Sequence, residues 1–452
     1  MMEEYFDTEL INFPLDALII EQDGEIIREE YVEPFDKNML HRMFSVAKSY
    51  TSLAVGALYA EGKLNLPDRI TNYFPEYKEL VKSDELRNTT IENLLLMRTP
   101  YAKTTYKMIQ TDDWVKSFFE VIADHAPGMI FQYDTSAAVV LGALVKRISG
   151  KGVLDYLREV FLKEIGFSDE AYMLKTPSGD EHTGSGLMAY PRDLLVTGEF
   201  LLSVLTGDFC EKYNYLIKER RFDSAFWDRY ISYLREAMSY HSATVHTGKT
   251  RSECCGYGYQ FWMLPKGGVM MYGMGGQYLL FYPEKKTIIV TTADTQSAAG
   301  GTQWILDEAE KFADGIGSNV GKRSESSEYE IGRANVLYGT FHILIPQQFL
   351  RCYTFSAKEL VLEGMDRTYR LPYSEEGYGT VVEWSPEIKI CARGELQKDG
   401  SFYIHARFVG ECLGAIHILL CEKEGRGQLY LRCVEETALK QFNGFFDSSK
   451  DS

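Results

Sequence analysis

The chain has no cysteines in C-x-x-C spacing, no block of Lys or Arg, and no apolar run long enough to span a bilayer. Each absence removes a class of function. Without C-x-x-C spacing, neither a zinc ribbon nor a thioredoxin-type site is expected of Cys210, Cys254, Cys255, Cys352, Cys391, Cys412, Cys421 and Cys433. Without a basic block, and at a formal net charge of -17, the chain is repelled by phosphate backbones and anionic lipid. Neither nucleic acid nor a membrane surface is therefore an expected partner. Without a bilayer-length run there is no transmembrane helix to place. No phosphate-cradling glycine motif occurs, and no cofactor is implied. Met1-Met2-Glu3-Glu4-Tyr5-Phe6-Asp7 lacks the basic stretch and apolar run of a secretion leader. The cysteines then read as reduced thiols, several alternating into strands as small hydrophobes, and the cytoplasm is the expected compartment.

What is present is a globular composition, 45% hydrophobic and 25% charged, in 452 residues, a length that suggests two domains. Leu15 to Glu21 is β-rich, Asp23-Gly24 supplies a hairpin turn, and Ile26 to Tyr31 returns. From Ser45 to Glu61, Val46, Tyr50, Leu53, Ala57 and Leu58 recur at helical spacing, with Gly62 where a C-cap belongs. Further helices are expected over Ser136 to Ile148 and Val153 to Ile165. Strands follow at Tyr257 to Trp262, Tyr278 to Tyr282 and Thr287 to Thr292, then a helix at Thr302 to Phe312. Strands at both ends with helices between them suggest one antiparallel sheet assembled from the two termini of a domain.

The stretch from Gly315 to Ser327 is rich in Gly, Ser and charge and reads as a linker. Beyond Tyr329 the pattern is strand-dominated. Ile388 to Glu395 with Phe402 to Val409, and Ala415 to Cys421 with Leu429 to Val434, form hairpins around glycine-bearing turns. A small antiparallel sheet or barrel is expected there. No repeat of fixed period is visible. The resulting division is a first domain over 1–316, a linker over 317–327 and a strand-rich domain over 328–452.

The sharpest chemical signal is Phe44-Ser45-Val46-Ala47-Lys48-Ser49, the only S-x-x-K in the chain. On a helix, positions i and i+3 share a face one turn apart. A desolvated lysine there can take the serine proton and create a nucleophile. The helix N-terminus also favours the negative charge that develops. The plainer alternative is a serine N-cap followed by a solvent-facing lysine.

With this motif go Glu61-Gly62-Lys63-Leu64-Asn65-Leu66-Pro67-Asp68, Tyr73-Phe74-Pro75-Glu76, Thr90-Ile91-Glu92-Asn93-Leu94-Leu95, and Pro127-Gly128 before Phe131-Gln132-Tyr133. Gly142 to Gly150, Arg192-Asp193-Leu194 and Tyr257-Gly258-Tyr259 continue the series. In that order, over roughly Ala17 to Ala313, the chain resembles the class C β-lactamase and penicillin-binding serine hydrolase superfamily. The resemblance implies an α+β fold, an α/β sandwich of antiparallel sheet and flanking helices with a helical subdomain enclosing the site. It also implies that Tyr133 faces the serine and passes its proton to the leaving group; the alternative is a packed aromatic in a chain with 30 tyrosines. The third residue of that box is Thr135, where the family usually has asparagine.

A third family element, a Lys or His followed by a small residue and Gly, is matched by Met274-Gly275-Gly276-Gln277. Met274 stands in place of the cation. The resemblance implies that the Gln277 N–H joins that of Ser45 in an oxyanion hole. Methionine cannot hold a substrate carboxylate, so an esterase or amidase is favoured over a strong β-lactamase. The expected substrate is a small ester, amide or peptide-like molecule. The alternatives are a penicillin-binding D-alanyl-D-alanine peptidase-like protein and a catalytically weak ligand-binding homologue.

His182-Thr183-Gly184 and His246-Thr247-Gly248 imitate the third element but come too early in the chain, and are read as loop residues. No G-x-S-x-G elbow supports a triad built on them. Cys254-Cys255 with His241 and His246 is a poor zinc set, because adjacent cysteines rarely share one tetrahedral ion, and no metal is expected. Tyr101-Ala102-Lys103 and Tyr106 follow Arg98-Thr99-Pro100 where the family often has a Ser-Gly turn, and are expected to reshape one wall of the pocket.

Overall fold

Asp23 and Gly24 both take positive φ, 53° and 84°, which is what a two-residue hairpin turn requires. They join β1 (Leu15–Gln22) to β2 (Glu25–Tyr31) in antiparallel register. The computed structural model describes residues 15–218, 222–246, 250–296, 301–314, 338–344, 349–386, 388–397, 400–423, 425–435 and 442–450. The expected linker, 317–327, and the chain's first residues lie outside them.

A small sheet in the order β3-β5-β4 forms from β3 (His41–Arg42), β4 (Tyr172–Met173) and β5 (Leu187–Ala189). Four later strands, β6 (Trp262–Met263), β7 (Val269–Gly273), β8 (Gln277–Tyr282) and β9 (Thr287–Ala293), complete a six-stranded sheet. Its order is β2-β1-β9-β8-β7-β6, all antiparallel, so the first and last segments of this part of the chain pair directly. The apolar run of β1 is buried almost throughout, since β1 is an inner strand and helix Pro191–Thr206 packs on the sheet at this point. Helix Pro191–Thr206 packs on β1, β8 and β9. Helix Val46–Ala60 is buried nearly all round, packed against helices Thr135–Ser149 and Ser224–Ala237.

Two expectations need correction. Tyr257 to Trp262 is not a strand: Gln260 is left-handed at φ 66°, and a Cβ on Gly258 would lie 2.1 Å from the Ala237 carbonyl oxygen. The segment turns instead: Tyr257 makes isolated bridges to Ser242 and Trp262, and Trp262–Met263 pairs with Val269–Met270 on a strand the pattern did not reveal. Val153 to Ile165 is not one uniform α-helix; Val153–Leu157 is α-helical and Arg158–Leu162 widens to a π-helix.

The C-terminal region is larger than the expected small sheet. It comprises β10 (Gly339–Ile343), β11 (Leu350–Phe355), β12 (Glu359–Gly364), β13 (Thr368–Ser374) and β14 (Val382–Ser385). Then come β15 (Ile388–Leu396), β16 (Phe402–Val409), β17 (Gly414–Lys423), β18 (Arg426–Glu435) and β19 (Asn443–Lys450). The order is β13-β12-β11-β10-β19-β18-β17-β16-β15-β14, and a parallel pairing of β13 with β15 brings the two ends together as a barrel. Its interior, with Leu360, Ile390, Ile404 and Ile418 buried, is an apolar cluster separate from that of the first sheet and helices. A third, smaller cluster joins Phe35 to Cys391 and Val409, between the two.

Candidate active site

The turn after β3 sets the nucleophile. Phe44 is buried with φ 45°, a left-handed conformation that costs a non-glycine residue about 1–2 kcal/mol. Such strain persists only where packing holds it, and it is concentrated at functional sites. Part of that packing is β7, which passes so close that a Cβ on Gly273 would lie 2.2 Å from the Met43 carbonyl oxygen. Ser45 follows as the N-cap of helix Val46–Ala60, yet its side chain makes no capping bond to that helix. Instead Lys48 Nζ donates to Ser45 Oγ at 2.9 Å and to the Gly184 carbonyl oxygen. Lys48 is 1% exposed, so the solvent-facing alternative does not apply.

Tyr133 is placed by the start of another helix. Asp134 caps Thr135–Ser149, accepting from the Ser136 N–H at 2.9 Å and from Thr99 Oγ1 at 3.1 Å. The Gln132 N–H donates to the Met97 carbonyl at 2.8 Å, fixing the loop just ahead. The Tyr133 ring then lies with its centre 4.9 Å from Lys48 Nζ and stacks on Trp262 at 5.6 Å. Burial pushes the Tyr133 phenol well above its ordinary range; a hydrogen bond with Ser45 acts against this, and the charges of Tyr272 and Glu253 add to it. At neutral pH it is a phenol, not a phenolate.

Thr135, the first residue of the helix, lines the same cavity as Ser45 and Tyr133. Its methyl packs where a Gly184 side chain would stand. Met274 lines the cavity too, at the head of the turn between β7 and β8. Gly275 and Gly276 complete that turn at φ 83° and 97°. A Cβ on Gly275 would lie 2.3 Å from Leu413 of the barrel, so the glycine serves close packing as well as backbone geometry. The Gln277 side chain is spent on structure: its Nε2 donates to the carbonyls of Met274, at 3.1 Å, and Ala293, at 2.6 Å. It borders a smaller hollow with Asp16, His41 and Leu413, so Gln277 has only its backbone to offer the reaction.

Ser45, Lys48, Tyr133, Thr135 and Met274 are thus brought together around a cavity of about 420 Å³, whereas Gly275, Gly276 and Gln277, which follow Met274 in the chain, are not among the residues lining it. The cavity is lined as well by residues outside these motifs, including His182, Glu253, Trp262 and Tyr272. His182 is a loop residue as expected, but its loop folds onto the cavity, and its H-T-G sequence was the available signal. The imidazole lies edge-on to Trp114 at 4.9 Å, and its Nδ1 is buried without a hydrogen-bond partner. Burial, with Lys48, Arg42 and Lys107 adding, lowers it to about 3, so it is neutral at physiological pH. His246 is exposed, and its Nε2 meets the Phe131 carbonyl at 3.0 Å. Tyr106 does form part of a wall, stacked on Trp114 at 4.0 Å. Among the described residues no His, Cys, Asp and Glu group has the arrangement of a metal site; His241 meets the Glu236 carbonyl and Cys254 the Val245 carbonyl. No described helix is long and apolar enough to cross a membrane.

A family model described as Beta-lactamase matches residues 7–309. Protein flp of Staphylococcus aureus (strain COL) is 23% identical over 139 residues, 29% of this chain and 28% of that protein. An N-acetylmuramyl-L-alanine amidase of Bacillus subtilis (strain 168) is 23% identical over 188 residues, 35% of this chain and 43% of its own length. The chain therefore spans less than half of these curated relatives. Among solved structures, the octameric penicillin-binding protein homologue from Pyrococcus abyssi aligns with TM-score 0.51 at 15% identity, covering 96% of both chains. A candidate 6-aminohexanoate-dimer hydrolase from Bacillus anthracis aligns with TM-score 0.54 at 19% identity, covering 69% of this chain and 81% of its own. At these identities the structures share a fold.

Proposed function

Because this chain belongs to the Beta-lactamase family, we propose that it is a serine hydrolase that forms an acyl-enzyme on Ser45. The observation carrying this reading is the 2.9 Å contact between Ser45 Oγ, unused as a cap, and the buried Lys48 Nζ. In its amine form Lys48 takes the hydroxyl proton as Oγ attacks the carbonyl carbon. The N–H groups of Ser45 and Gln277 receive the oxyanion. Tyr133, held as a phenol by burial, gives its proton to the leaving oxygen or nitrogen and regains one from Lys48. Water then attacks the acyl carbon by the reverse relay, releasing the acid and restoring Ser45.

Met274 supports an ester or amide substrate over a carboxylate-bearing β-lactam, since its thioether offers no charge to an anion. No cofactor takes part in this scheme. The test is intact-mass measurement after incubation with small activated esters and a panel of β-lactams, beside Ser45→Ala. An adduct on the wild type that is lost in the variant is the expected result. A folded protein that acquires no adduct from any reagent overturns the reading in favour of a ligand-binding homologue.

A further inference from the structure

One wall of the cavity carries a carboxylate that the proposed acyl transfer does not use. Glu253 is 8% exposed and lines the cavity with Trp262 and Tyr272. One of its oxygens, Oε2, accepts the Thr250 N–H at 2.8 Å, and among the described residues no cation pairs with it. A carboxylate this enclosed is costly unless something positive compensates it. An apolar ligand would strip away its remaining water and worsen that cost.

The surroundings are aromatic and fixed. The rings of Trp262 and Tyr272 meet at 63° with centres 6.5 Å apart, forming a corner. Tyr257 packs edge-on against Trp262 at 4.8 Å, and Tyr278 stacks behind Tyr272 at 5.1 Å, so neither wall can swing away easily. Faces of Trp and Tyr attract cations, Trp most strongly, and a carboxylate at the same corner adds to the attraction. Charges of both signs bear on the cavity. Lys48, Arg42 and Lys107 bear on His182. Burial raises the phenols of Tyr272 and Tyr278, and the Glu253 charge raises them further, as it does that of Tyr133. Met274 adds no cation there that would neutralise it.

We propose that the corner formed by Glu253, Trp262 and Tyr272 is a subsite for a cationic group, so that the substrate is an ester or amide bearing an ammonium. This rests on the Ser45 acyl-enzyme reading and names the substrate class for it. A cation seated there satisfies the buried carboxylate, and that same carboxylate repels anionic substrates.

The test uses three nitrophenyl esters of matched chain length, ending in trimethylammonium, in tert-butyl and in carboxylate. The ammonium ester should exceed its neutral isostere by at least about tenfold in kcat/KM, with the anionic ester last. In Glu253→Gln, whose amide oxygen can still accept the Thr250 N–H, the ratio of cationic to neutral ester should fall to near one. Calorimetric titration of Ser45→Ala with choline and with 3,3-dimethylbutanol reads the same selectivity without chemistry. Hydrolysis of the neutral ester with no cationic preference overturns the subsite and leaves the acyl-enzyme reading standing. Glu253-dependent choline binding with no hydrolysis of any ester does the reverse.

Discussion

Arg407 Nη1, on β16 of the barrel, lies 2.6 Å from Asp16 Oδ1, on β1, with both side chains almost wholly buried. The ion pair ties the C-terminal barrel to the central sheet. Burial raises the Asp16 carboxyl to about 6, with Arg407 pulling it the other way. Removing one partner leaves the other charge buried and uncompensated. Arg407→Ala or Asp16→Ala should therefore cost about 3–5 kcal/mol, measured by urea unfolding. The double variant should cost clearly less than the sum of the two, because neither member of the pair is left without its partner. Additive losses would show that the pair does not act as a unit.

The contact of Leu413 with the Gly275 turn couples the barrel to the site. Gly275→Ala meets both the unfavourable φ of 83°, about 1–2 kcal/mol, and the Leu413 side chain. Lower melting temperature and slower ester hydrolysis are expected together. Adding Leu413→Ala should recover part of the stability but not the part due to φ. A fully silent Gly275→Ala would mean that the turn relaxes freely.

The proton relay separates Lys48 from Tyr133 by leaving group. Lys48→Ala should slow hydrolysis of every ester by about a hundred- to ten-thousand-fold. Tyr133→Phe keeps the ring that packs on Trp262. It should slow an alkyl ester or amide by about a hundredfold or more while sparing a nitrophenyl ester, whose leaving group needs no proton. Equal losses with both leaving groups would assign Tyr133 to positioning instead.

Acid should destabilise the fold through buried neutral histidines. Burial, with Arg407 adding, lowers His41 to about 3, against 6.5 in the unfolded chain. Its folded pKa is depressed, so its contribution is complete above pH 6.5 and is lost as pH falls from 6.5 towards 3. For this one group the loss from pH 6.5 to pH 5 is about 2 kcal/mol. His182 is depressed to about 3 as well, and His405 and His417 are also lowered, each chiefly by burial. Stability followed by denaturant from pH 7 to pH 5 should fall, and His41→Gln should flatten part of that slope. An unchanged slope in the variant would place the acid sensitivity elsewhere.

Much of this arrangement was legible because it is local. Ser45 and Lys48 meet because three positions on a helix are one turn, whatever else the chain does. Asp23-Gly24 had to turn, and Phe402–Val409 had to be a strand, for reasons contained within a few residues. Where local signals failed, a distant neighbour had overridden them. Tyr257 to Trp262 carries strand residues, yet Gly258 is pressed onto Ala237 and the chain turns. Four of the barrel's strands, β15 to β18, are legible locally, whereas β10 to β14 and β19 emerge only once each has a partner to pair with.

By itself, then, the sequence determined the serine–lysine turn, the antiparallel sheet drawn from both ends of the first region, and the barrel's hairpins. The tertiary structure alone decided that His182 lines the cavity, that Glu253 is enclosed beside Trp262 and Tyr272, and that Leu413 packs on Gly275. The reason is physical. Periodicity and turn chemistry specify backbone conformation and whether a side chain faces inward. They do not specify which loops, brought together from opposite ends of the chain, will share one cavity.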